Sequence, residues 1–198
     1  MTTGPKILAF AGSARKDSWN KHMVRIAAVG AQSTSDQSAG AEVTVIDLAD
    51  YPMPILNLDD EAATGLPPNA RKLKDLFLAH QGLLIASPEH NSSISSLLKN
   101  TIDWVSRPVP NEPPLACFTD KIAIIMSASP GALGGLRGLV HLRAILGNIG
   151  TIVLPSTLSI SKVHETFGTD GSLKDETQRP KIEKLGSDLA NFLKKLQD

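Results

Sequence analysis

Nine consecutive residues, Gly12-Ser13-Ala14-Arg15-Lys16-Asp17-Ser18-Trp19-Asn20, carry the densest potential chemistry of this chain. Ser13, Ser18 and Asn20 are neutral donors, and Arg15 adds a charged fork whose geometry matches phosphate oxygens. An apolar run ends at Gly12, and a helical pattern begins soon after Asn20. A strand that runs through such a loop into a helix leaves backbone N–H groups without intrahelical acceptors. The helix dipole adds partial positive charge at the same point. A dianionic phosphate group is what this arrangement holds best. Taken singly, Ser18 or Asn20 is equally a helix cap, and Arg15 a solvated side chain.

Two further loops have related features. Ser87-Pro88-Glu89-His90-Asn91-Ser92-Ser93 follows another apolar run. Pro88 fixes one dihedral and biases Ser87 toward extended geometry, so this loop can present backbone groups to the edge of a planar heterocycle. Its bland alternative makes Ser92 or Ser93 the cap of the next helix and His90 an exposed loop residue. Ser127-Ala128-Ser129-Pro130-Gly131-Ala132-Leu133-Gly134-Gly135 contains three glycines in its last five residues. These either let the backbone lie close against a flat ligand or satisfy turn dihedrals.

These loops need elements to hold them. Short, nearly continuous apolar runs at residues 7–11, 43–46, 83–86, 122–126 and 151–154 suit strands covered on both faces. Helical spacing appears over residues 22–31, 70–80, 94–106, 136–146 and 181–196, the second announced by Pro67-Pro68-Asn69. Five alternations of strand and helix predict an α/β fold with right-handed crossovers. The expected form is a flavodoxin-like three-layer sandwich whose five-stranded parallel sheet has the order 2-1-3-4-5. In that order the ligand crevice lies at the carboxyl ends of the strands, where the three loops converge. Residues 33–40 read as a loose polar connection, and 51–68 and 107–120 as proline-bearing loops that can frame a pocket.

With 198 residues, the chain is expected to form a single domain, 1–198. Twenty basic and twenty acidic residues give no net charge, and there is no basic block. No footprint for nucleic acid or an anionic membrane follows, nor the acidic surplus of small electron carriers. The lone cysteine, Cys117, excludes an intramolecular disulfide and reads as an inert small residue. No apolar run approaches the roughly 20 residues of a membrane helix, and the first residues show no targeting pattern. A soluble, cytoplasmic protein is the expectation. The chain has no Gly-x-Gly-x-x-Gly after a strand, no nucleoside-triphosphatase loop, no Gly-x-Ser-x-Gly elbow and no Cys/His metal spacing. No catalytic side chain stands out, no metal is expected, and the chemistry falls to a bound cofactor.

The combination resembles the flavodoxin-like NADPH-dependent FMN reductases, which include quinone, chromate and azo-dye reductases. The matching stretches are Gly12-Ser13-x-Arg15-x-x-Ser18-x-Asn20; Pro88-Glu89-His90-Asn91-Ser92-Ser93-Ile94, continuing through Leu98-Lys99-Asn100 and Asp103-Trp104 to Arg107-Pro108; and Ser127 to Arg137, followed by His141-Leu142-Arg143. The resemblance implies that Ser13, Arg15, Ser18 and Asn20 hold the FMN phosphate. It further implies that Pro88, Glu89, His90, Asn91 and Ser92 line the ring and ribityl chain, and that Ser127, Gly131 and Gly134 approach the other end of the ring. The family usually has tyrosine where this chain has His90, a departure that bears on ring-edge packing and acceptor preference. Ser106-Arg107, His141-Arg143 and His164-Glu165 read as capping, packing or surface positions.

The implied activity is an FMN-dependent oxidoreductase. NADPH or NADH passes hydride to flavin N5, and a quinone-like or other small acceptor then receives the electrons, with the cofactor supplying the organic chemistry. Backbone donors near one ring edge would stabilise the reduced form. The implied assembly is a homodimer or homotetramer. The alternatives are an FMN-binding electron carrier, or a flavodoxin-like interaction protein without NAD(P)H oxidation of its own.

Overall fold

The computed structural model describes residues 4–33 and 40–197. Most of the polar run expected at 33–40 therefore lies outside the described residues. A parallel sheet is built from β1 (Lys6–Ala11), β2 (Glu42–Asp47), β3 (Gly82–Ala86), β6 (Ile122–Ala128) and β7 (Ile152–Ile160), in the spatial order β2-β1-β3-β6-β7. Counting only these five, that is the flavodoxin-like order 2-1-3-4-5. Two shorter strands, β4 (Glu89–His90) and β5 (Ser93–Ile94), form a separate hairpin.

Alternate residues of the central strands feed two apolar clusters, one on each face. Ile7, Ala9, Ala11, Leu84, Ile124 and Met126 face α1 (Trp19–Gln32) and α7 (Arg179–Lys195), the latter following the one-turn α6 (Val163–Thr166). Leu8, Phe10, Leu83, Ile85, Ala123 and Ile125 face α3 (Pro68–Ala79), α4 (Ser96–Val105) and α5 (Leu136–Asn148). This explains why the runs in β1, β3 and β6 are continuously apolar. On the first face, α1 and α7 touch backbone to backbone. A Cβ on Gly30 would lie 2.0 Å from the Glu183 carbonyl oxygen, and one on Gly186 would lie 1.8 Å from that of Ala27.

Several boundaries differ from the sequence expectation. The helical pattern beginning at residue 94 yields α4 only from Ser96, because Ile94 pairs with Glu89 in the hairpin and Ser95 caps the helix. The stretch 51–68 is not wholly irregular, since α2 (Leu58–Thr64) interrupts it behind an Asn57 cap. Strand β7 runs nine residues rather than four. Its register against β6 slips between Ala123 and Ile125, around Pro155, a residue tolerated at a bulge on an edge strand. Arg143 donates to the Val153 and Leu154 carbonyls at 2.7 and 2.8 Å, satisfying acceptors that the bulge frees. Arg107, just beyond the end of α4, pairs with Glu61 of α2 at 2.8 Å. Both arginines are therefore packing residues. Cys117 is fully buried beside the Lys74 carbonyl, and burial pushes its thiol pKa up. Among the described residues, no helix is long and apolar enough to cross a membrane.

Candidate functional site

The loop after β1 is tied down before it reaches α1. The Gly12 N–H donates to the Ala86 carbonyl at 2.9 Å, and Ser95 Oγ donates to the Gly12 carbonyl at 2.6 Å. Ser95 also accepts from Leu98 N–H at 3.1 Å, so the residue that caps α4 fixes the start of the loop. Ser13 Oγ accepts the Arg15 N–H at 3.3 Å. Ser18 occupies the N-cap of α1, yet its hydroxyl makes no capping bond. The first helical acceptor is the Ser18 carbonyl, which receives Lys21 and His22 N–H. The N–H groups of Trp19 and Asn20 thus precede the helical ladder, as donors at the positive end of the helix dipole.

Asn20 does something its residue type did not announce. Its Nδ2 donates to the Ala128 carbonyl and its Oδ1 accepts the Ala128 N–H, each at 3.0 Å. With both polar atoms engaged and only 4% of the residue exposed, Asn20 clamps the start of α1 to the end of β6. His22, just beyond, has its pKa held below the usual value by burial and then by the Arg25 charge, against the opposing Asp17 and Asp170 carboxylates. It is neutral at pH 7 and adds no charge to the loop.

The second loop is a hairpin. Glu89 pairs with Ile94 and His90 with Ser93, leaving Asn91 and Ser92 as its two-residue turn. Both have positive φ, 48° and 65°, as a type I′ turn requires. Glu89 turns its carboxylate to α5, where Oε2 accepts the Gly138 N–H at 2.9 Å and Oε1 lies 3.6 Å from Arg137 Nε. A negative group there satisfies an orphan donor and complements the dipole. On the same helix, His141 Nδ1 meets Ser93 Oγ at 2.9 Å. The hairpin is thus fastened to α5 at both strands.

The third loop descends onto the sheet. Gly134 has φ of 61°, and a Cβ there would fall 2.7 Å from the Ile160 backbone. Gly135 has φ of 89°, and its Cβ would fall 1.9 Å from Ser127 Oγ. These glycines serve close approach within the protein. Ser127 is fully buried below Gly135, and its hydroxyl has no hydrogen-bond partner among the described residues.

A cavity of about 160 Å³ lies where the loops meet. Ser13, Arg15, Ser18, Trp19 and Asn20 line it from the first loop, and Pro88, Glu89 and His90 from the second. Ala128, Ser129 and Pro130 complete the wall. Of the expected site residues, Asn91 and Ser92 stand away in the hairpin turn, while Ser127, Gly131 and Gly134 are outside the lining. Sequence reasoning missed Trp19 and Ser95, and within the third loop it singled out Ser127, Gly131 and Gly134 where Ala128, Ser129 and Pro130 form the wall. The aromatic residue inside the donor motif was the available signal for Trp19, and a serine two residues before a Leu-Leu pair was that for Ser95. A larger depression of about 460 Å³ lies on the β2 side of α1. There the Lys21 ammonium is held by Asp47 at 2.6 Å, and Arg25 shares the wall with the Asp47 and Asp50 carboxylates.

The family model for NADPH-dependent FMN reductases matches residues 5–165. The chain belongs to the NADPH-dependent FMN reductase family. The reductase is 33% identical over 195 residues to an NADPH:quinone oxidoreductase of Arabidopsis thaliana, covering 97% of this chain and 93% of that one. It is 31% identical over 199 residues to an NAD(P)H-dependent FMN reductase of Pseudomonas aeruginosa, covering all of both chains. Among solved structures, the flavoenzyme NAD(P)H:(acceptor) oxidoreductase of Paracoccus denitrificans superposes with a TM-score of 0.77 at 26% identity, covering 96% of this chain and 98% of that one. This is a flavodoxin-like oxidoreductase of the NAD(P)H-dependent FMN and quinone reductase type.

Proposed function

We propose that the reductase binds FMN in the three-loop crevice and transfers electrons from NAD(P)H to quinone-like or other small acceptors. The single observation that carries this reading is the donor set at the start of α1. An uncapped Ser18 hydroxyl, two helix-terminal N–H groups and the Arg15 guanidinium gather at one cavity. That set fits a phosphate monoester. About 160 Å³ is below the roughly 300–1,000 Å³ of a pocket for a drug-sized ligand, so the walled part suits one end of such a molecule. Ser13, Ser18 and Arg15 bind the phosphate, and Asn20 orients the helix end through Ala128. Pro88, Glu89 and His90 wall the path toward the ring, with Asn91 and Ser92 at the hairpin tip beyond them. Gly131 and Gly134 shape the opposite loop, and Ser127 supports it from below.

When bound, FMN supplies hydride acceptance from nicotinamide and delivery of electrons to the acceptor. The protein binds, orients and excludes water, and none of its side chains need act as a nucleophile. We take residues 1–198 as one functional unit working in the cytoplasm, where NAD(P)H is at hand. The open side of the crevice favours a homodimer or homotetramer in which a neighbouring copy completes it. Exposed Leu136 and Val140, one turn apart on α5, are compatible with that assembly.

The test is an anaerobic spectrum of the purified protein. FMN added in excess should remain bound through gel filtration, NADPH should bleach it, and a benzoquinone should restore the colour. A protein that stays colourless after soaking in FMN overturns the reading.

A further inference from the structure

We propose that Trp19 is a positioning residue of the anion loop: its indole holds the Arg15 guanidinium over the crevice and thereby sets the preference for a phosphorylated flavin over the unphosphorylated one. This rests on the FMN reading above and deepens it. The Arg15 Cζ lies 5.3 Å from the Trp19 ring centroid, and both side chains line the same cavity. The ring is itself anchored, half-buried and packed against the apolar cluster beneath α1. Two further contacts hold the arginine. Its N–H donates to Ser13 Oγ at 3.3 Å, and its Nη2 donates to the Asp17 carbonyl at 2.9 Å. Its remaining guanidinium N–H groups make no hydrogen bond among the described residues.

An exposed arginine ordinarily loses considerable rotamer freedom when it grips a ligand. Here that freedom is already restricted, because the aromatic face attracts the cation and keeps the fork turned to the loop. Among the described residues no carboxylate pairs with Arg15, which leaves its charge for an anion. The orientation acts on the phosphate alone. A flavin without phosphate has no group for Arg15 to grip and gains nothing from the stack.

The deciding experiment is a double-mutant cycle with two ligands. FMN and riboflavin are titrated into flavin-free wild type, Trp19→Leu, Arg15→Ala and the double variant, following flavin fluorescence, with urea midpoints recorded alongside. Trp19→Leu should weaken FMN binding about three- to fivefold, the scale of an exposed cation–π contact, and leave riboflavin binding unchanged. Trp19→Phe should stay within about twofold of wild type. In the Arg15→Ala background, Trp19→Leu should have no further effect on FMN. A parallel loss of riboflavin affinity, or an undiminished loss in the Arg15→Ala background, overturns the proposal by showing that the indole contacts the ligand itself or only packs. If Trp19→Leu does not fold, Trp19→Met, whose unbranched, flexible chain adapts to the gap left by the ring, runs the same cycle. Failure of wild type to bind FMN is a separate result and strikes the cofactor reading itself.

Discussion

At the scale of single residues, the difference between a donor and a brace decides what each polar side chain does. Asn20 sits in the donor motif, yet its amide is committed to both backbone groups of Ala128. Asn20→Ala would strand a buried N–H and carbonyl, at a cost of about 1–3 kcal/mol for such groups. The expected outcome is a lower urea midpoint together with weaker FMN binding, because the helix end loses its clamp. Unchanged stability would mean that the Ala128 groups find water instead. Ser13, Arg15, Ser18 and Asn20 were legible from their spacing, since a strand-to-helix turn puts such residues at the sheet top. The Asn20 clamp was not, because its partner is 108 residues away. His90, where the family usually has tyrosine, lines the cavity and is exposed, so it adds nothing to the core.

At the scale of elements, the hairpin and α5 form one assembly with Glu89 as its rivet. The carboxylate accepts the Gly138 N–H in the first turn of the helix and stands near Arg137. Glu89→Gln keeps an acceptor but removes the charge that complements the helix terminus. A destabilisation of about 0.3–1 kcal/mol is expected, readable as a small shift in the urea midpoint at low salt that shrinks as salt is raised. A salt-independent shift would assign the effect to packing. The hairpin also shows why boundaries resisted reading. Ile94 fits the helical spacing of Leu98 and Ile102, but pairing with Glu89 and the Ser95 cap claims it for a strand. The length of β7 was hidden in the same way. Pro155 and the polar residues after Leu154 end the apolar run, while Arg143 on α5 satisfies the bulge and lets pairing continue to Ile160.

For the whole molecule, stability has an acid limit with an identifiable contributor. Burial alone would raise the Asp47 pKa; the Lys21 hydrogen bond, the Ala49 N–H and the charges of Lys21 and Arg25 outweigh it and hold the carboxyl below its usual value. A carboxyl depressed in the folded state contributes stability that is fully present above its unfolded pKa of about 3.9 and is lost as pH falls through the folded value. Lys21 is 5% exposed, so Asp47→Asn leaves a buried ammonium facing a neutral amide, and about 1–3 kcal/mol should be lost at pH 7. Urea midpoints of wild type and variant should converge as the pH is lowered below 4. A gap that is constant across that range would exclude the ion pair as its source.

The sequence by itself determined the layered α/β architecture, the strand order and the place of the donor-rich loop at the top of the sheet. Those depend on local signals: apolar runs buried on both faces, helical periodicity, and donors clustered at one strand-to-helix turn. Only the tertiary structure decided which polar residues face the crevice and which are consumed in holding it. Ser127 went beneath Gly135, Asn20 went to Ala128, and Glu89 went to α5, while Trp19 came up beside Arg15. The physical reason is that a side chain's role is fixed by partners brought close by the fold, and few of those partners are its neighbours in the chain.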